Sequence, residues 1–80
     1  MAYFVYVLRS AKTGRRYIGS CEDLEGRLHR HNAGSSKATR HGVPWGLIHT
    51  ETFESRSEAV QRERYLKTGV GRDELSRLLG

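Results

Sequence analysis

Two tyrosines of the chain are placed where their hydroxyl groups could act together. Tyr6 lies in the apolar segment 3–9, Tyr17 lies in the segment 15–20, and a short turn separates the two segments. If the segments form a hairpin with an even-numbered turn, Leu8 pairs with Tyr17, because the turn length fixes antiparallel partners. Alternation of side chains then brings both rings to one face of the sheet. The pair predicts either a shared phenol site or two rings that pack on the sheet.

A carboxylate on the core-facing side of a helix is the second chemical feature. With about 100° of rotation per residue, Glu63 falls on the same arc as Ala59 and Leu66 in the helix predicted after Ser55. An inward carboxylate is costly unless it is paired or bound to a metal. Two interpretations follow. Glu63 forms an ion pair, with Lys67 one turn later or with an arginine of the sheet, or it has a metal-binding or catalytic role.

Three strands must position the tyrosines. Segments 3–9, 15–20 and 45–53 are rich in β-branched and aromatic residues, and the first is apolar on both faces, which is typical of a central strand. In the third segment, alternation predicts Leu47 and His49 on one face. The predicted fold class is α+β, a three-stranded antiparallel sheet with helices packed on it in the order β-β-α-β-α-α.

Three helices are predicted between and after the strands. The first begins at the acidic residues after Cys21 and contains Gly26, a residue that would let the sheet approach closely. The second begins at a cap residue, either Ser55 or Ser57, and ends at Gly69; Ser55 has capping-box spacing to Glu58. Segment 73–79, with its three leucines, predicts a short last helix.

Length, charge and cysteine content limit the classes of function. The 80 residues predict one domain over 1–80, and the net charge of +5 favours a polyanionic partner, with nucleic acid ahead of a bland basic surface and an anionic membrane. Cys21 is the one cysteine, so an intramolecular disulfide is excluded and a cytoplasmic location is expected. The N-terminal apolar run is too short for a membrane span and lacks the basic start of a secretion signal. The histidines and Cys21 lack the spacing of a zinc finger.

These residues resemble the GIY-YIG nuclease superfamily, and most of all its small standalone bacterial members. The two halves of the signature are VYV at 5–7 and YIG at 17–19, followed by Arg27 on the first helix and Glu63 on the second. The second half is intact, whereas the first keeps the tyrosine and has valine in place of the leading glycine. The resemblance covers nearly the whole chain and implies the order of elements already predicted from the pattern.

The resemblance implies an enzyme that hydrolyses phosphodiesters with one divalent ion, Mg²⁺ or Mn²⁺, held by Glu63. Tyr17 would accept the proton of the attacking water, and Tyr6 would orient Tyr17 or share its role. Arg27 would bind the phosphate through its planar guanidinium group. His31, one turn after Arg27, would contact the phosphate or pass protons.

Simpler alternatives remain for the helix residues and for Gly19. Arg27 would instead pair with Asp23 one turn back, and His31 would be a solvated histidine at a helix end. Gly19 would leave room for a backbone or a nucleic acid to come close, or would only end the strand.

A basic loop follows the first helix. Lys37, Thr39, Arg40 and His41 would follow a phosphate backbone, or they would form a solvated loop.

The chain departs from the family pattern at two places. Ser20 follows the YIG segment, where some family members have a lysine. Several members also have an asparagine near the end of the domain, whereas Asn32 is the only asparagine here.

The sequence thus predicts a metal-dependent DNA endonuclease, with DNA repair or recombination as its setting and branched or damaged DNA as its substrate. Because 80 residues leave no room for a separate DNA-binding domain, a protein partner or DNA shape would supply specificity. Two alternatives are a non-catalytic nucleic-acid-binding module on the same fold and a subunit that depends on a partner enzyme.

Overall fold

The computed structural model describes residues 2–80, which form one antiparallel sheet and the helices around it. The elements are β1 (Tyr3–Ser10), β2 (Arg16–Cys21), α1 (Leu24–Asn32), a short 3-10 helix (Arg40–Gly42), β3 (Trp45–Phe53), α2 (Arg56–Leu66) and α3 (Gly69–Leu79). The predicted α+β class and the order β-β-α-β-α-α are confirmed. Within residues 2–80, no helix has both the length and the apolar character that a membrane span needs.

The central strand carries the core on both of its faces. The strand order is β2-β1-β3, and residues 5–8 of β1 are buried without exception. On one face, Val5 and Val7 pack against Leu66 of α2 and Leu75 of α3. On the other face, the side chains of β1 pack near α1. A continuous apolar run is therefore explained by a strand with helices on both sides.

The hairpin of β1 and β2 has the predicted register. Leu8 pairs with Tyr17, and Tyr6 pairs with Gly19. Since partners in an antiparallel ladder share a face, Tyr6 and Tyr17 lie on the same side of the sheet. Their ring centroids are 6.3 Å apart.

An irregularity in β3 overturns the prediction that Leu47 and His49 share a face. Leu8 pairs with Leu47, but the next residue of β1, Val7, pairs with His49. Ile48 is the extra residue of a β-bulge, and a single extra residue reverses the alternation beyond it. His49 consequently lies on the face of α2.

The boundary between the last two helices also differs from the prediction. Gly69 begins α3 instead of ending α2, and the hydroxyl of Thr68 caps α3 by accepting a hydrogen bond from the N–H of Gly71. A Cβ atom on Gly71 would lie 1.9 Å from the carbonyl oxygen of Tyr65. Gly71 therefore allows α3 to turn closely against the end of α2.

Gly26 has a different role from the predicted close approach to the sheet. Its N–H donates a hydrogen bond to the carboxylate of Asp23, which caps α1. A Cβ atom at this position would lie 2.3 Å from the same carboxylate. Gly26 thus makes room for the cap of its own helix.

Candidate active site

A buried chain of three polar side chains connects the sheet, α1 and the following loop. The Tyr6 hydroxyl lies 3.1 Å from Nε2 of His31, and Nδ1 of His31 lies 2.7 Å from the Thr39 hydroxyl. Tyr6 is 1% exposed, His31 3% and Thr39 0%. His31 is therefore a fixed internal residue, and its alternative as a solvated histidine is excluded by its burial.

The protonation states of Tyr6 and His31 follow from their burial. Burial, together with the neighbouring Tyr17, raises the pKa of Tyr6 well above its ordinary value, so Tyr6 stays a neutral phenol. Burial, with the charges of Arg27 and Arg30, lowers the pKa of His31. A neutral imidazole has one donor and one acceptor nitrogen, which suits one hydroxyl on each side. Tyr6 is thus a hydrogen-bonding phenol and not an anionic base.

Tyr17 is the more accessible of the two tyrosines. It is half-buried, and its ring lies 4.9 Å from the His31 ring and 6.3 Å from the Trp45 ring, measured between centroids. The aromatic neighbours hold the ring in place, while the partly exposed side chain can reach a ligand. The structure therefore brings together Tyr6, Tyr17 and His31 on one face of the sheet.

Arg27 lines an open cleft beside this cluster. Ser20, Cys21 and Arg30 lie in the same cleft. The ion pairs within the described part of the chain do not include Arg27. The predicted alternative, a pair with Asp23, is not formed among residues 2–80, and the Asp23 carboxylate caps α1. The guanidinium group is therefore available to an anion.

The space beside Gly19 is occupied by Tyr6. A Cβ atom on Gly19 would lie 2.5 Å from the Tyr6 hydroxyl oxygen and 2.6 Å from Cζ of the same ring. Gly19 is buried. Its role in the structure is to admit the Tyr6 ring, which differs from the predicted contact with a nucleic acid.

Glu63 is held in place by two donors. Ser20 Oγ donates to Glu63 Oε1 at 2.6 Å, and Lys67 Nζ donates to Oε2 at 2.7 Å. Burial raises the pKa of Glu63, but the hydrogen bonds from Lys67 and Ser20 outweigh it, so the pKa lies below its usual value. The predicted pair with Lys67 is confirmed. Ser20, which stands where some relatives have lysine, anchors the carboxylate to β2.

The candidate site extends across both faces of the edge strand β2. Ser20 pairs with Val5 and so faces α2 and Glu63, whereas Gly19 pairs with Tyr6 and faces α1. These two residues are neighbours in the chain, so Glu63 and Tyr6 lie against opposite faces of the same strand. Glu63 contributes in a small way to the raised pKa of Tyr6, after larger effects of burial and Tyr17.

The donor set suits a hard divalent cation. An ionised carboxylate oxygen has further lone pairs beyond the one that accepts from Ser20 or Lys67. Among residues 2–80, no group of three or more histidine, cysteine, aspartate or glutamate side chains is arranged to hold a metal. A single carboxylate completed by water and phosphate oxygens is the coordination that Mg²⁺ commonly adopts. Glu63 therefore fits the ion that the resemblance implies.

The basic loop divides into a surface part and an internal part. Lys37, Arg40 and His41 are exposed, whereas Thr39 supports His31 from inside. Thr39 is therefore placed away from the surface on which it was predicted to contact nucleic acid. No sequence signal could identify its partner, because the contact depends on how the loop folds back on α1.

Asn32 is a structural residue. Its side-chain amide donates to the carbonyl oxygen of Trp45 and accepts from the N–H of Trp45 at 2.6 Å. The amide thereby fixes the end of α1 to the start of β3. It does not substitute for the asparagine that several family members have near the end of the domain.

Several known proteins match most of the length of this chain. Residues 2–74 match the model of the GIY-YIG catalytic domain. A UPF0213 protein of Halobacterium salinarum is 42% identical over 66 residues, which cover 81% of this chain and 84% of the relative. A UPF0213 protein of Staphylococcus saprophyticus is 36% identical over 67 residues, which cover 82% and 80%.

A solved structure has the same fold. The solution NMR structure of the UPF0213 protein BH0048 from Bacillus halodurans superposes with a TM-score of 0.59 at 32% identity, covering 98% of this chain and 85% of that one. The matched family model spans β1 to α3 and includes both tyrosines, Arg27 and Glu63. The chain therefore belongs to the GIY-YIG family and carries its nuclease-type catalytic domain.

Proposed function

We propose that the protein is a divalent-metal-dependent endonuclease that hydrolyses DNA phosphodiesters. The observation that carries the proposal is the ionised Glu63 carboxylate, which Ser20 fixes against the strand that also bears Tyr17. Ser20 and Lys67 hold this carboxylate, which is four-fifths buried, and they leave it further lone pairs with which it could bind a metal ion. Membership of a nuclease-type family supports the same conclusion.

In this proposal each side chain of the site has one role. Glu63 would hold a Mg²⁺ or Mn²⁺ ion, which as a Lewis acid would stabilise charge on the scissile phosphate. Arg27, free of other ion pairs in the described residues, would bind the phosphate oxygens in a bidentate manner. Tyr17 would take the proton of the attacking water.

The buried chain of Tyr6, His31 and Thr39 would position Tyr17. Both Tyr6 and His31 contact the Tyr17 ring, at 6.3 Å and 4.9 Å between centroids. Tyr6 itself stays a neutral phenol because burial raises its pKa. The proposal therefore assigns proton transfer to Tyr17 and orientation to Tyr6.

Branched or damaged DNA is the proposed substrate, with repair or recombination as the setting. A protein partner that supplies specificity is part of the same proposal. Lys67 favours a second candidate, a non-catalytic nucleic-acid-binding module. Its ammonium group already neutralises Glu63, so the carboxylate is satisfied without a metal.

The experiment that separates the two candidates compares cleavage and binding in matched variants. Tyr17→Phe and Arg27→Gln should lower the single-turnover rate on flapped or branched DNA by about 10²–10⁴ and about 10²–10³ respectively. Tyr17→Phe should leave DNA affinity almost unchanged. A wild type that binds these DNAs but cuts none of them with either metal would establish the binding module and exclude the enzyme.

A further inference from the structure

A groove between the start of β2 and the helix α3 is lined by cationic side chains. It is lined by Arg15, Arg16, Lys67 and Arg72, together with Tyr17. Arg16 is held across the groove by a hydrogen bond of 3.2 Å from its Nη1 to the hydroxyl of Ser76. That contact is with a neutral partner, so the guanidinium charge of Arg16 is not neutralised.

The charge of this groove is not balanced from within the chain. None of its lining residues is an aspartate or a glutamate, and of its four cations only Lys67 has a carboxylate partner in the part of the chain that the structure describes. Arg62, by contrast, is paired with both Glu51 and Glu74. Neighbouring cations without a counter-charge create a local positive potential that attracts an anion.

The groove is continuous with the candidate active site. Tyr17 belongs to both, and Lys67 reaches from the groove to Glu63. From Ser20, which holds Glu63, to Arg16 is four residues of β2, or roughly 13 Å at about 3.3 Å per residue.

We propose that this groove binds the backbone phosphates of the nucleic-acid strand that is cut, on one side of the scissile phosphodiester. The inference rests on the proposed function and extends it, because it states the route of the substrate strand across the protein. The route runs along β2 towards α3, and it differs from the predicted route along the basic loop at Lys37 and Arg40.

The test is the salt dependence of DNA binding without metal. Anisotropy of a labelled DNA duplex of about 20 base pairs, in EDTA over a series of KCl concentrations, is measured for wild type and for Arg16→Gln with Arg72→Gln. Each lost phosphate contact should reduce the slope of log affinity against log salt by about 0.9. The double variant should therefore lose about 1.8 of slope and, if binding at 1 M salt is unchanged, about 60-fold in affinity at 0.1 M.

Matched variants separate a local contact from an effect of net charge. Arg64→Gln with Arg77→Gln removes the same charge from exposed positions outside the groove lining, and its slope should stay close to that of wild type. Arg16→Lys with Arg72→Lys keeps the charge and should also keep the slope. Equal slopes for the groove variant and the Arg64/Arg77 variant would overturn the inference, as would a wild type that binds no DNA at low salt.

The outcome is independent of whether the protein cuts DNA. If wild type binds DNA through the groove but cleaves none, the groove is supported as a phosphate-binding site and the proposed nuclease activity is refuted. If wild type cleaves DNA but the Arg16/Arg72 and Arg64/Arg77 glutamine variants have equal salt slopes, the nuclease activity is supported and the role of the groove is refuted. A larger loss of slope in Lys37→Gln with Arg40→Gln than in the groove variant would place the strand on the loop and overturn the inference.

Discussion

Replacement of Gly19 by alanine tests how tightly the site is built. The added Cβ would lie 2.5 Å from the Tyr6 hydroxyl oxygen, whereas ordinary van der Waals contact begins at 3.4 Å, so the ring must retreat by about 0.9 Å (3.4 minus 2.5). Tyr6 is fully buried, and its hydroxyl is bonded to His31. Retreat therefore disturbs packing and the hydrogen bond together.

The expected cost follows from these contacts. Overpacking of a close-packed core costs about 1–3 kcal/mol. For a domain of this size, 1 kcal/mol shifts Tm by about 4–8 °C, so Gly19→Ala should lower Tm by about 4–24 °C. Urea unfolding of the same variant should give a lower midpoint with an unchanged m-value.

Gly46 of β3 provides the matched control. Nothing lies within 4 Å of a Cβ atom built at that position. Because glycine in a strand is less favourable than alanine by about 0.5–1 kcal/mol, Gly46→Ala should be neutral or stabilising. A double variant, Gly19→Ala with Tyr6→Leu, should lose less stability than the sum of its single variants, since the ring atoms that clash with the new Cβ are gone. If Gly19→Ala is as stable as Gly46→Ala, the packing argument is wrong.

Three further predictions concern buried or paired polar groups. Burial lowers the pKa of His31 in the folded state below its unfolded value of about 6.5, so the unfolded chain binds more protons as pH falls through that value. In urea titrations, wild type should therefore lose more stability between about pH 7.5 and 5.5 than His31→Gln. An equal loss in both proteins would contradict the burial of His31 as a neutral group. Thr39→Val should cost about 1–3 kcal/mol and change the ¹⁵N shifts of the His31 ring, because Nδ1 loses its partner, whereas Thr39→Ser should retain both properties. Arg62→Met should lower the free energy of unfolding by about 1–3 kcal/mol, since Glu51 and Glu74 lose a shared partner. The difference from wild type should be smaller at high salt. An unchanged urea midpoint would count against this network.

The hairpin and the inward glutamate could be predicted because they follow from local rules. Turn length and alternation alone place Leu8 opposite Tyr17, and helical rotation alone places Glu63 on the sheet side of α2. Neither inference needs knowledge of distant contacts. The order of elements is likewise a consequence of local composition and periodicity.

The features that were wrong or missed depend on contacts between elements. The bulge at Ile48 reverses which residues of β3 point to each face of the sheet, and no residue type in that segment predicts a bulge. A glycine such as Gly69 is typical of the end of a helix. Here Thr68 caps a new helix that begins at Gly69, and Gly71 allows this helix to lie close to the end of α2. The bond between His31 and Thr39 joins a helix to a loop, and only the folded chain brings the two side chains together.

The central claim is that Glu63 supports metal-dependent hydrolysis of a phosphodiester. Its most direct test is the single-turnover rate of strand cleavage on flapped and branched DNA by wild type and Glu63→Gln, each with Mg²⁺, with Mn²⁺ and with EDTA. The variant keeps the size of the side chain and an acceptor for Ser20. We expect cleavage by wild type with either metal, none with EDTA, and a loss of at least about 10²-fold in the variant. Equal rates for wild type and Glu63→Gln, or no cleavage by wild type with either metal, would contradict the claim.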